Sequence, residues 1–334
     1  MNEMPEARIH GGPDADGPER WDFSTCANAA GPCPAALDAV LTADPTRYPD
    51  PHHHGLREGL AALHRVEPRR IVIAASASEF VQRITAIATR LRPGPVGVPR
   101  HAYGDYAASA RAWGRSCRHD DEPGETLSLQ WCTDPSSPLG LKTPIPCNAA
   151  AVPTVLDSVY APLRLKVSDA RQSDLLDQVF VLHSPNKALG LCGVRGAYAI
   201  APREATWDAN GWLRMLQAAE PSWPLGTHGA AMLAAWTDAP VRQWVQQSHA
   251  RLSHWKTLLI ATLVQRGFTC LDSDTPFFCA RPPMPTDPLR LRHHGVAVRD
   301  AASFGLCGWW RLSAQPPLSI AQLAAALDHE GSRS

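Results

Sequence analysis

The stretch HSPNKALGLCGVRGAYAI, residues 183–200, combines a lysine, a serine and an arginine in a pattern suited to amine chemistry beside an anion. An apolar run at 179–182 enters a small-residue turn holding Ser184 and Lys187. Glycines at 190, 193 and 196 follow, with Arg195 just ahead of the next apolar run. A lysine at a strand end in a glycine-rich turn can be desolvated. Desolvation disfavours the ammonium, and the neutral amine is the form that condenses with an aldehyde. Ser184 and Arg195 offer a hydroxyl donor and a fixed cationic fork for a phosphate. Taken alone, S-x-x-K is also what a lysine in a surface loop looks like.

Two further segments carry complementary chemistry. In VLDSVY (155–160), Asp157 ends an apolar run 30 residues before Lys187, with Tyr160 one turn further on. Such an aspartate is either a helix cap or a carboxylate able to pair with a protonated ring nitrogen. In IVIAASASEF (71–80) a strand passes through small residues into a helix. Backbone amides at a helix start, with the hydroxyls of Ser76 and Ser78, form an anion site; a plain serine N-cap is the alternative. The run His52-His53-His54 is read as an exposed loop and not as a metal site, because adjacent residues do not share a helix face and no partners recur at ligand spacing. Cys192 is read as a small packing residue.

The elements that must hold these residues alternate. Strands are predicted at 71–74, 96–98, 127–132, 155–156, 179–182 and 197–200, and helices at 34–41, 56–65, 80–91 and 106–113. Residues 1–33 read as an irregular arm. Alternating strands and helices argue for an α/β fold with a largely parallel sheet. The tail differs: Val241, Trp244, Val245, Leu252, Trp255, Leu259 and Leu263 form a long apolar stripe stopped at Gly267, followed by strands at 277–280 and 309–313, which suggests a smaller α+β unit. The domain change is expected near residues 236–240.

With 334 residues, 44% of them hydrophobic, the chain can build a large core and favours two domains. Lys plus Arg and Asp plus Glu are equal at 32 each, so no charge excess points to nucleic acid or membrane. Arg69-Arg70 reads as solvated surface. The polar N-terminus does not resemble a secretory signal, and nine scattered cysteines without a CxxC pair fit reduced thiols in the cytoplasm.

In combination, these segments resemble the fold type I aminotransferases of class I/II, over nearly the whole chain and in the same order. DFSTCANAAGPCP (22–34) matches the arm that carries an asparagine, here Asn28. RYPDP (47–51) is typical of the histidinol-phosphate aminotransferase branch. SASE (76–79), HAYGDY (101–106), DPSSPLG (134–140) and WWRLS (309–313) match further family segments. The resemblance implies pyridoxal 5′-phosphate (PLP) as cofactor, carried covalently by Lys187, with Asp157 on the ring nitrogen and Tyr160 beside it. It implies cofactor contacts from Ser76, Ala77, Ser78, Tyr103, Ser137, Ser184 and Arg195, and from Tyr48 across a homodimer interface. It further implies a large domain (39–238) with a central, mostly parallel seven-stranded sheet. A small α+β C-terminal domain (239–334) follows, and the arm (1–38) joins it.

HGG at 10–12 and VAVRDAASFG at 296–305 resemble the threonine-phosphate decarboxylase relatives within that branch. This suggests His10, Asn28, Arg299 and Arg311 as substrate contacts, the two arginines taking a substrate phosphate. The expected activity is therefore L-threonine O-3-phosphate decarboxylation. Histidinol-phosphate transamination is the alternative, and a non-catalytic regulator of the same fold a second one. Three positions depart from the family pattern: Ser137 stands where an asparagine is usual, Ser76 where a glycine is, and Ser158 where an acidic residue is.

Overall fold

Short apolar runs whose alternate side chains enter different layers build the central sheet. The computed structural model describes residues 10–119, 122, 124, 126–146, 148–166, 173–203, 207 and 209–332. In chain order the first elements are β1 (Trp21–Asp22), α1 (Pro34–Leu41), α2 (His54–His64), β2 (Ile71–Ala74), α3 (Ala77–Leu91), β3 (Val96–Val98), α4 (Gly104–Ala112) and β4 (Cys117–His119). Then come β5 (Leu129–Thr133), β6 (Thr154–Asp157), α5 (Ser173–Leu176), β7 (Phe180–His183), β8 (Ala197–Ile200), α6 (Ala209–Ala218) and α7 (Thr227–Trp236).

Among the described residues, seven of these strands pair in the order β2-β8-β7-β6-β5-β3-β4. All neighbours run parallel except β8, which is antiparallel to both β2 and β7. The period of two decides the layers. Ile71 and Ile73 join one core with Leu156, Tyr198, Met232 and Leu233, while Val72 and Ala74 join the other with Phe80, Ile84, Trp131 and Phe180. Helices therefore cover both faces, as a largely parallel sheet requires.

The tail comprises α8 (Ala239–Val264), β9 (Thr269–Cys270), β10 (Phe277–Arg281), β11 (Val296–Ala297), β12 (Arg299–Asp300), β13 (Trp310–Ser313) and α9 (Pro317–Gly331). Four strands make an antiparallel sheet in the order β12-β13-β10-β9. The apolar stripe of α8 serves two cores: Val241, Val245 and Leu252 pack with the large sheet, whereas Leu259 and Leu263 pack with Phe23, Phe278, Trp310 and Leu312. No helix among the described residues is long and apolar enough to cross a membrane.

Three expectations need correction. The arm is not irregular throughout: β1 pairs in parallel with β11, a two-residue strand too short to show periodicity. The histidine run is not simply an exposed loop. His53 is only 4% exposed and sits at φ 49, and His54 opens α2. Arg70 is not solvated; it is 7% exposed, and its guanidinium donates to the Ala201 carbonyl at 2.7 Å and to Asp177 at 2.8 Å. The buried Arg70 is satisfied by partners far along the chain, which the linear sequence does not reveal.

Candidate active site

The carboxyl ends of β2, β3, β5, β6 and β7 lie along one edge of the sheet, where ligands bind in open α/β folds. Asp157 is the last residue of β6, in register with Leu182 of the parallel β7, and Lys187 lies in the turn that β7 enters. The two charges act on each other. Burial pushes the Lys187 amine below the usual lysine range, and the Asp157 carboxylate opposes that shift. Burial likewise pushes the Asp157 carboxyl up, against hydrogen bonds from the Tyr106 hydroxyl (2.5 Å) and the Val159 amide (2.9 Å). The Lys187 Nζ is 5.2 Å from the centre of the Tyr160 ring.

The lysine turn is held from below. The Asn186 side chain accepts from the Ser184 hydroxyl and from the Lys187 amide, each at 3.0 Å. Asn28 accounts for more: its backbone amide donates to the Lys187 carbonyl (2.9 Å), and its side chain donates to the Ala188 carbonyl and Ser248 Oγ, both at 2.9 Å. The turn closes at Gly190, whose φ of +69° would put an added Cβ 2.6 Å from the Gly31 carbonyl oxygen. The left-handed backbone and this close approach both require glycine.

Around the lysine, Ser76 caps α3, accepting from the Glu79 amide at 3.0 Å. The amides of Ala77 and Ser78 belong to the first turn and have no intrahelical acceptor. Ser78 Oγ lies 3.0 Å from the Tyr103 hydroxyl, which donates to Asp105 at 2.6 Å. His10 approaches this pair, 3.9 Å from the Asp105 carboxylate and 5.7 Å from Tyr103 between ring centres.

Two guanidiniums flank the other side. Arg299 and Arg311 are cross-strand partners on β12 and β13, 3% and 6% exposed. Their Cζ atoms stand 5.1 and 5.3 Å from the centre of one ring, Phe304. Arg299 donates to Ser303 Oγ at 2.6 Å and to the Asp300 carbonyl; burial, and then the charge of Arg311, lowers its pKa to about 10. Arg311 donates to the Ser24 carbonyl (3.0 Å) and Ser137 Oγ (3.3 Å), and its buried Nε has no hydrogen-bond partner among the described residues. Cys26 lies within the influence of both Arg311 and Lys187, and Tyr160 within that of Arg311, so the arginine pair and the lysine share one site.

The site thus gathers Lys187, Asp157, Tyr160, Tyr103, Ser78, His10, Ser137, Arg299 and Arg311, with Ser76 and Ala77 at the head of α3 and Arg195 acting on the lysine. It does not gather Tyr48, which is 78% exposed and stacks on Trp223 with ring centres 4.4 Å apart. Ser184 and Asn28 direct their polar atoms into the scaffold beneath the turn. Tyr106, Asn186, Phe304 and the thiol of Cys26 were not anticipated, and Cys192, read as a packing residue, lies within the influence of Lys187. Tyr106 was within reach, since Tyr103 and Tyr106 share a helix face at i, i+3.

PLP fits these residues. A buried amine with a lowered pKa faces a carboxyl that accepts two hydrogen bonds and still has room for a donor. The Arg195 guanidinium, which also lowers the Lys187 pKa, makes no hydrogen bond or ion pair with any described residue. With the free amides of α3 it provides a cationic, donor-rich cradle for a phosphate.

Comparison with known proteins agrees with this geometry. Histidinol-phosphate aminotransferase 2 of Rhizobium meliloti is 26% identical over 323 residues, covering 89% of each chain. The fold is shared with the crystal structure of histidinol-phosphate aminotransferase from Sinorhizobium meliloti in complex with PLP (TM-score 0.73, 19% identity, covering 92% of this chain and 89% of that one). It is shared as well with L-threonine-O-3-phosphate decarboxylase from Porphyromonas gingivalis (TM-score 0.74, 18% identity, covering 93% and 99%). Residues 145–329, more than half of the sequence, match the family model of aminotransferase class I and II. The chain belongs to the aminotransferase class I and II family.

Proposed function

We propose that this protein is a PLP enzyme that transaminates a phosphorylated amino alcohol of the histidinol phosphate class, with 2-oxoglutarate as amino acceptor. The observation that carries the reading is the Arg299–Arg311 pair: two buried guanidiniums over one phenyl ring, in the same site as a lysine of lowered pKa. Two like charges buried side by side are costly unless an anion joins them, and a phosphate dianion matches two guanidinium forks. The name of the Rhizobium meliloti relative supports the choice of substrate.

Bound PLP supplies an electron sink for the electron pair left on the substrate carbon. The chain's own residues do the rest. Lys187, its pKa lowered by burial, takes the proton from the amine-bearing carbon and can return it. Asp157, fixed by the Tyr106 hydroxyl and the Val159 amide, would accept from the cofactor's ring nitrogen and hold a proton there. Arg195, Ser76 and the amides of Ala77 and Ser78 would hold the cofactor phosphate, while Ser184 braces the lysine turn from beneath. Tyr103 would cover the cofactor ring, with Tyr160 and Ser137 as further cofactor contacts. Arg299 and Arg311 hold the substrate phosphate, with His10 at its edge and Asn28 bracing the lysine turn. The exposed Tyr48 completes the site of a second copy, which makes the active form a homodimer.

Decarboxylation of L-threonine O-3-phosphate, first in the sequence reading, remains a second reading. It is favoured by the approach of His10 to Tyr103 and Asp105, because the HGG arm is the feature that resembles the decarboxylases. Incubation with histidinol phosphate plus 2-oxoglutarate, and separately with threonine phosphate, decides between them. Glutamate from the first mixture supports transamination, carbon dioxide from the second supports decarboxylation, and turnover of neither overturns both.

A further inference from the structure

Among the described residues, His294, His329 and Glu330 bring one donor atom each to within 4.8 Å of one another. His294 ends the 3-10 segment Pro288–His294, and His329 and Glu330 lie in the last turn of α9. His294 Nε2 is 3.0 Å from Glu330 Oε1, and His329 Nδ1 is 3.8 Å from the same oxygen. The two imidazoles meet edge to face, with ring centres 4.8 Å apart at 66°. The carboxylate is largely buried (12% exposed), His294 less so (25%), and His329 remains accessible (47%).

We propose that these three side chains form a binding site for a divalent late first-row metal, Zn²⁺ in the first instance. Two imidazole nitrogens and one carboxylate oxygen are a borderline-soft set that suits Zn²⁺, with a fourth position open to water. Mg²⁺ and Ca²⁺ require more oxygen ligands than one carboxylate supplies. Bonds of about 2.0–2.2 Å in a tetrahedron put neighbouring donors about 3.4 Å apart. The Glu330–His294 pair is already closer than that, and the exposed His329 can swing to complete the set. The carboxyl end of α9 adds the negative end of a helix dipole, which favours a cation there.

The site is separate from the lysine cleft, and its consequence is local. His294 immediately precedes Gly295 and β11, which leads into β12 and its first residue, Arg299. A metal held there staples that segment to the terminal helix. It would stabilise the small sheet without touching the reacting groups.

The test is calorimetric titration of Zn²⁺ into chelator-treated holoenzyme, in a background where the exposed Cys117 and Cys307 are changed to serine. One equivalent per chain is expected. His294→Gln and His329→Gln should each weaken binding at least about tenfold while keeping the cofactor's visible absorbance and the metal-free melting temperature. A metal concentration about a hundredfold over the parent's Kd should raise the melting temperature of the parent by about 4 °C and that of each variant by no more than about 2 °C. Equal binding in parent and variants, or no stoichiometric binding in the parent, overturns the site.

Discussion

Phe304 offers a sharp test of the anion site, because it touches the charges without being one. Its ring stands 5.1 Å from the Arg299 Cζ and 5.3 Å from the Arg311 Cζ, and it is 8% exposed. A desolvated cation–π contact contributes about 1–2 kcal/mol, so a ring serving two guanidiniums is worth about 2 kcal/mol or slightly more. Phe304→Leu keeps most of the apolar volume and removes the quadrupole. With 1.4 kcal/mol per decade, KM for the phosphorylated substrate should rise roughly 30-fold, with kcat changed by no more than about threefold. Phe304→Tyr should restore most of the loss. The control is the dephosphorylated analogue, whose weak turnover should be indifferent to the substitution. Equal loss for both substrates would mean that the ring only packs, and an unchanged KM would mean that the arginine pair does not bind the phosphate; either result refutes the reasoning.

Other substitutions probe separate parts of the site. Asp157→Asn removes a charge held in a desolvated pocket and should lower kcat by about two to three orders of magnitude with the fold intact by circular dichroism. Asn28→Ala strands the buried Ala188 carbonyl, so chemical denaturation should show a loss of about 1–3 kcal/mol. Subunits carrying Lys187→Ala and subunits carrying Tyr48→Ala, each inactive alone, should regain activity when mixed; no recovery would show that Tyr48 does not serve a partner's site. His64 bonds the Tyr198 hydroxyl at 2.7 Å, and burial, then the charge of Arg242, lowers its pKa to about 4. Its folded-state pKa lies below the unfolded value of about 6.5, so its contribution to stability is complete above pH 6.5 and falls as pH drops towards 4. Between pH 7 and pH 5 the loss should be about 2 kcal/mol by urea denaturation, and His64→Gln should flatten that slope.

What the sequence revealed is what lies close together along the chain. Ser184, Lys187 and Arg195 fall within one turn between two strands, and the IVIA and VLDS segments announce strand ends, so the sheet edge could be read directly. Contacts between distant segments could not. Tyr106, the partner of Asp157, comes from a helix 51 residues earlier, where it stacks on Trp131 with ring centres 4.3 Å apart. Cys26 enters from the arm, and Phe304 from a loop whose carbonyl accepts from His101 at 2.7 Å. His53 and Arg70 look like surface residues by type, and only the folded chain supplies the neighbours that bury them. The alanine-rich α7 has little amphipathic contrast to detect. By contrast α9 went unread although Ile320, Leu323 and Leu327 follow helical spacing.

The most direct measurement concerns the amine. Holoenzyme is reduced with borohydride to fix any covalently held PLP, then digested and mapped by mass spectrometry. Lys187 should carry the added mass, and Lys187→Ala should show neither the modification nor the bound cofactor's visible absorbance. Lys256 is the demanding control, because burial lowers its pKa to about 8 while it donates to the Ser273 and Thr275 carbonyls. Modification of Lys256, Lys142 or Lys166 in place of Lys187, or unchanged cofactor absorbance in Lys187→Ala, would contradict the assignment of the site.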